Sequence, residues 1–237
     1  MLMLLRRRCR AWLEIRRLDK ELAQSSGLPL ELPQIVPNAW NEVVWRLPVP
    51  NHPDAFMTAS NAAQSDFIVY VNGLAFYRAW LALGVEDSQA CPLKQDMPKD
   101  RKYPSSAAHF AVGIDSPVPL ADVSPTMILG HFAVCFTDGM TRSMWLLAHE
   151  VAVFPVLSRD EASAVMLAEH VGVAGPLIDR HVSGDWGDVD DAQREANEEA
   201  VKECGTIVSV YHPHGVRVLI VTDGDRSHTV AMLPHEY

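Results

Sequence analysis

Short apolar runs alternate with polar breaks along the chain, and the period of each run predicts an element. Phe67-Ile68-Val69-Tyr70-Val71 has the length and β-branched, aromatic character of a strand, over Asp66 to Val71. Leu74 to Leu83 then reads as a short helix ended at Gly84. Further on, the apolar run Val134-Cys135-Phe136 breaks at Asp138-Gly139, a turn signal, and resumes through Trp145-Leu146-Leu147 for about two helical turns. A second β-branched run, Val151-Ala152-Val153-Phe154, ends at Pro155. The pattern predicts strand, tight turn, short helix, strand.

Elsewhere the texture is looser. Residues 24 to 53 carry prolines at 29, 33, 37, 48, 50 and 53 and read as an extended connector, with Trp40, Val43, Val44 and Trp45 as a strand or anchor. Residues 88 to 101 are polar and read as a surface loop; 117 to 125, with three prolines, read as an exposed substrate-side or interface loop. Ala107 to Gly113 is a short apolar segment of ambiguous type.

After Pro155, Arg159 to Gly172 has a helical period, capped by Ser158 or Asp160, with Ala164, Val165, Leu167, Ala168 and Val171 on its apolar side. An aspartate-rich loop leads to a second helix, Ala192 to Glu203, opened by Asp190 with Gln193 and stopped at Gly205. Three alternating strands follow, Thr206–Tyr211, Val216–Thr222 and His228–Leu233. The fold class is α+β, ending in a small helix plus three-stranded antiparallel meander.

The first twenty residues are basic, with Arg6, Arg7, Arg8, Arg10, Arg16, Arg17 and Lys20, while Leu4, Leu5, Cys9, Trp12, Leu13, Ile15, Leu18 and Leu22 approximate a helical face. Three readings stand: a helix packed on the domain, a helix for a partner or membrane surface, and upstream sequence from a generous start site. The order of basic and apolar segments is not that of a secretory signal, and no stretch approaches the roughly 20 apolar residues of a membrane span. A cytoplasmic location is expected.

Composition adds bounds. With 237 residues and 48% hydrophobic content, the chain has core enough for one large domain or two small ones. A net charge of −10 argues against a general nucleic-acid surface and suits an inhibitor of a basic protein partner. Cys9, Cys91, Cys135 and Cys204 lie far apart without a Cys-x-x-Cys pair, so free buried thiols in a reduced compartment are expected, not a zinc site.

The candidate chemistry is sparse. Arg142 falls in the first turn of its helix, where the positive end of the macrodipole disfavours a cation unless Asp138 or a bound phosphate answers it. Asp138, Gly139, Thr141 and Arg142 thus form a candidate phosphate or partner site. Asp185, Asp188, Asp190 and Asp191 miss the EF-hand register; turn and cap chemistry, with Trp186 docking the loop on the sheet, accounts for them. His212 and His214 flank a hairpin proline without a third ligand. Asp223, Asp225, Arg226 and His228, with His181, allow either an acid/base constellation or ordinary turn chemistry. No glycine-rich phosphate loop, Gly-x-Ser-x-Gly elbow or His-Glu-x-x-His helix is present. Neither a metal site nor a catalytic residue is assigned, and no cofactor beyond a nucleotide is suggested.

Phe136-Thr137-Asp138-Gly139, Thr141-Arg142, Trp145-Leu146 and Phe154-Pro155-Val156 resemble the signature segment of the plasmid fertility inhibition factor family. Phe67 to Val71, Phe76-Tyr77-Arg78-Ala79-Trp80, Lys102-Tyr103 and Pro117 to Val123 agree in order, so the resemblance spans residues 35 to 160. It implies a ParB/sulfiredoxin-like N-terminal domain, whose strand-turn-helix arginine can hold a nucleotide phosphate, and a block on conjugative transfer of a co-resident plasmid. Met140 and Thr141 stand where the family's commoner form has Arg-His; a charge or proton partner would then come from Asp115, Asp122 or His109. From Ile178 to Tyr237 the chain resembles a small family of plasmid and integrative-element proteins that share the core His181, Gly184, Asp185, Trp186, Asp188 and, later, Asp225-Arg226.

The expected organisation is a basic helix and linker over 1–34, a fertility-inhibition-like domain over 35–158 and a helix with a small α+β module over 159–237. The expected function is inhibition of conjugation by binding a transfer-machinery protein. The alternatives are an ATP-dependent nuclease or nucleotide hydrolase, and an anti-defence inhibitor acting by contact or nucleic-acid mimicry.

Overall fold

The structure is a computed structural model that describes residues 2–25, 32–37, 42–212, 217–227 and 229–232. Trp40, Pro213, His214, Gly215, His228 and the segment 233–237 lie outside the described residues. The chain divides into two compact units, with the change at Val173/Ala174.

In the first unit, α1 (Leu2–Ser25) precedes β1 (Gln34–Val36), β2 (Val44–Leu47) and β3 (Ala55–Thr58). These three pair antiparallel, and β5 (Val118–Pro119) adds parallel to β3. The proline-rich stretch is therefore sheet, not a free connector: Trp45 is buried and its Nε1 donates to the Tyr70 hydroxyl at 2.9 Å. Prolines sit in the gaps between these short strands, where no ladder hydrogen bond is lost. Leu18 of α1 is fully buried in the main core, which favours the packed-helix reading of the basic segment.

The second sheet holds the site. β4 (Phe67–Asn72) runs into α2 (Gly73–Ala82), whose start is capped by the Asn72 side chain accepting from the Leu74 and Ala75 N–H groups. After a 3₁₀ turn over Lys94–Lys99 come α3 (Tyr103–Val112), β6 (Ala121–Ile128), β7 (His131–Asp138), α4 (Met140–Ala148), β8 (Val153–Ser158) and α5 (Glu161–Val171). Strand order is β4-β8-β6-β7, with β6 parallel to β8 and the other pairs antiparallel. All six residues of β8 are buried, as befits a central strand. Phe76 and Trp80 of α2 meet Phe136 and Phe154 at ring separations of 4.6–6.0 Å, forming the aromatic centre of the core.

Two segments expected to be loops are ordered elements. Residues 117–125 form β5 and the start of β6, with Leu120, Ala121, Asp122 and Val123 buried. Pro125 lies beyond the two residues of β6 that pair with β8, so its missing N–H costs no bond there. Within 88–101, Met97 is fully buried and Gln89 bonds to Phe136. The expected boundary at 158/159 also moves: Ala164, Leu167 and Val171 of α5 join the first unit's core, and Gly172 bridges to Val71. Asp160, not Ser158, is the α5 cap, accepting from the Ser163 N–H at 2.9 Å.

The second unit comprises α6 (Gly175–Val182), α7 (Asp191–Glu203), β9 (Ile207–Tyr211), β10 (Val218–Thr222) and β11 (Thr229–Met232). The strands form an antiparallel sheet in the order β11-β10-β9, the meander the alternation predicts. Asp190 caps α7 through the Gln193 N–H at 2.8 Å. Helix α6 has no counterpart among the expected elements; Gly175-Pro176 is compatible with a helix start.

Candidate functional site

β7 ends at Asp138, and the chain reverses into α4 through Gly139, which takes a left-handed φ of +89° as the helix N-cap. A Cβ there would lie 2.6 Å from Ala121 Cα on β6, so both conformation and close approach demand glycine. Glycine offers no capping side chain, which leaves the first-turn N–H groups of α4 without a side-chain acceptor.

Arg142 projects from that turn. Its guanidinium pairs with Asp138 and donates to the Pro119 carbonyl at 2.8 Å. The two partners are unequally placed: the Arg142 side chain is 14% exposed, Asp138 71%. Asp138 thus answers the macrodipole, as the sequence allows, but from solvent.

The opposite wall comes from α3. Tyr103 and Phe110 are buried, and Phe110 stacks on Trp145 of α4 at 4.1 Å, fixing one helix against the other. This turns the other face of α3 outward, and Lys102, Ser105, Ser106 and His109, spaced i, i+3, i+4, i+7, line one pocket of about 540 Å³. Asp138, Gly139, Thr141 and Arg142 line the same pocket, with Gln89 and Phe136 at its side. A cation and an imidazole therefore reach the turn from α3 instead of positions 140 and 141. Of the three residues named for that role, His109 lines the pocket. Asp115 belongs to a 3₁₀ turn and does not. Asp122 is buried, accepts from Arg159 Nε at 2.7 Å, and shares that guanidinium with Asp66 at 2.5 Å. Of this face the sequence points to His109 as a proton partner and to Lys102 only through the family resemblance; Ser105 and Ser106 carry no local signal.

The motif residues of the second unit go to separate structural uses. His181 is buried, with Nδ1 on Ser209 Oγ at 2.5 Å and Nε2 on Thr222 Oγ1 at 2.7 Å; burial, then the Arg226 charge, holds its pKa below the ordinary histidine value. Asp185 pairs with Arg180 at 2.7 Å and accepts from the Gly187 N–H, and these bonds pull its carboxyl below the usual range. Trp186 is buried and its carbonyl accepts from Val210, docking the loop on β9. Gly184 and Gly187 take left-handed φ values of +84° and +67°. Asp188 pairs with His212 at 2.9 Å. Asp225 accepts from Ser227, while Arg226 donates to the Gly205 and Ala200 carbonyls, each at 2.8 Å. Of the suggested acid/base constellation, Arg226 acts on His181 through its charge, and no three acidic, histidine or cysteine side chains among the described residues could hold a metal ion.

Cys9 and Cys204 are exposed, correcting the expectation of buried thiols; Cys91 is buried, which pushes its thiol up. No described helix is long and apolar enough to cross a membrane.

A model of the plasmid fertility inhibition factor family matches residues 68–172. Protein osa of Shigella flexneri is 99% identical over 177 residues, covering 75% of this chain and 94% of that protein. The crystal structure of Oncogenic Suppression Activity Protein, a plasmid fertility inhibition factor solved as a gold(I) cyanide derivative, is similar with a TM-score of 0.71 and 92% identity, over 76% of this chain and 98% of that one.

Proposed function

The chain belongs to the plasmid fertility inhibition factor family, and from that premise we propose that it restrains conjugative transfer by acting in the cytoplasm, through the α4 pocket, on a phosphate-bearing ligand. The ligand class is a nucleotide or the phosphodiester of a transferred strand. The observation that carries this reading is the convergence of Lys102 and His109 from α3 on the uncapped start of α4. Free first-turn N–H groups favour an anion, Lys102 supplies the countercharge, and Thr141, Ser105 and Ser106 offer hydroxyl donors. His109 is the imidazole available for acid or base work in the pocket. A strand-turn-helix with an anchored arginine is in keeping with the ParB/sulfiredoxin-like assignment.

Thermal melts with ATP, with tripolyphosphate and with a short single-stranded DNA test this reading. A ligand-dependent rise that is lost in Lys102→Ala is expected. A wild type indifferent to all three sinks it. Magnesium-dependent turnover that vanishes in His109→Ala would mark the site as catalytic.

Stoichiometric contact with a protein of the transfer machinery is the second reading, favoured by α1, where Leu5, Trp12 and Leu13 stay 50–59% exposed among arginines. Dose separates the two: an enzyme inhibits below one copy per target, whereas a contact inhibitor saturates with it.

A further inference from the structure

We infer that His52 and His149 form a two-histidine site for a transition-metal ion of the zinc, nickel or copper class. His52 stands in the turn between β2 and β3, where its N–H donates to the Val49 carbonyl at 3.2 Å. His149 is the C-cap of α4. The fold brings these two imidazoles together from distant parts of the chain, with ring centres 5.0 Å apart and planes at 68°. Trp145 supports both, stacked on His149 at 4.1 Å and edge-on to His52 at 5.4 Å.

A metal–nitrogen bond of about 2.0–2.1 Å, continued to each ring centre at a tetrahedral angle, sets two imidazoles on one ion about 5 Å apart. Edge-to-face packing gives a similar spacing, so the ring nitrogens decide between the two. His52 Nδ1 lies 3.0 Å from the Pro53 carbonyl, and His149 Nδ1 lies 2.8 Å from the Trp145 carbonyl. A carbonyl can only accept, so each Nδ1 carries a proton and the Nε2 of each neutral ring keeps its lone pair. Among the described residues, neither Nε2 has a hydrogen-bond partner. Metal-bound histidines take this form: the ligand nitrogen is bare, and the other nitrogen is tied to an acceptor that fixes tautomer and orientation.

Electrostatics favour a cation there. His149 sits at the C-terminal end of α4, the negative end of the macrodipole. Two cations beside the pair in sequence or structure are already answered, Lys94 by Glu150 at 3.2 Å and Arg46 by Asp54 at 2.5 Å. Imidazole ligands select zinc, nickel and copper, whereas magnesium and calcium take oxygen. Two protein ligands leave the remaining positions to water, which the exposure of His52 admits. Neither histidine lines the α4 pocket, so metal binding and the proposed phosphate binding are separable.

Calorimetric titration of the full chain with nickel chloride, and with magnesium chloride as control, tests the inference. The tightest nickel site should hold one ion per chain, magnesium should give no heat, and nickel should raise the melting temperature by clipping the β2–β3 turn to α4. His52→Gln should weaken nickel binding at least about tenfold. Because the His52 ring is exposed, the metal-free variant should melt at the wild-type temperature, which excludes unfolding as the cause. His149→Gln should weaken binding in the same direction, and His170→Gln, at an exposed histidine stacked on Phe132, should leave it unchanged. No nickel uptake at about 0.1 mM, or uptake as tight in His52→Gln as in the wild type, overturns the inference and leaves the two rings as packing on Trp145.

Discussion

Gln89 pairs with Phe136 as a neighbouring strand would: its Nε2 donates to the Phe136 carbonyl and its Oε1 accepts from the Phe136 N–H, each at 2.7 Å. β7 is the edge of its sheet, and this carboxamide closes the edge beside the pocket. Asn197 on α7 makes the same two bonds to Val208 of β9, at 2.7 and 3.0 Å.

Removing either carboxamide should strand one N–H and one carbonyl. Gln89→Ala is expected to lower stability by about 1–3 kcal/mol in chemical denaturation. Gln89→Glu, which keeps the acceptor but sets a carboxylate against a carbonyl, should recover little of it. A Gln89→Ala variant within about 0.5 kcal/mol of wild type would mean the pairing contributes nothing.

Asp138 and Arg142 should respond unequally. Asp138→Ala removes an exposed partner and should cost less than about 1 kcal/mol. Arg142→Ala also deprives the Pro119 carbonyl of its donor and should cost more. Asp138→Ala should in addition tighten tripolyphosphate binding, since a competing carboxylate leaves the pocket; weaker binding in calorimetry would contradict the phosphate reading.

Gly139→Ala should be among the most damaging single changes in the first unit. The left-handed conformation alone costs a side chain roughly 1–2 kcal/mol, and the new Cβ would press on Ala121 backbone. Thermal melting near the wild-type value would show that the β7–α4 turn relaxes freely.

His181 gives a pH signature. Its folded pKa is lowered, chiefly by burial, so above the unfolded value of about 6.5 both states are neutral and its contribution to stability is intact. As pH falls from there through the folded pKa, the unfolded chain takes the proton first and that stability is lost. Denaturation at pH 7.5 and pH 5 should show a loss in the wild type that is smaller in His181→Gln. Equal losses would assign the pH effect to other groups.

The strand-turn-helix at 134–156 was legible because its period changes at Asp138-Gly139, and the cap Asp190 because Gln193 follows three residues later, whereas for α5 the sequence left Ser158 and Asp160 both open. Of the α3 wall only His109 was legible. Lys102 and His109 are seven residues apart on a helix whose apolar face, Tyr103 and Phe110, is too thin to set a clear period. Prolines obscured 117–125: Pro125 lies beyond Asp122, where β6 pairs on one side only, and Pro119 ends the two-residue β5. Gln89 was invisible for a different reason: its partner lies 47 residues away.

At the Val173/Ala174 seam the hydrogen bonds part cleanly. Val173 donates back to the Tyr70 carbonyl of the first unit, while the Ala174 carbonyl accepts from Leu177 and Ile178 of the second. A gene cut or joined at that codon leaves both sets whole. A junction there keeps each of these hydrogen bonds inside its own unit, so a cut at that peptide breaks none of them.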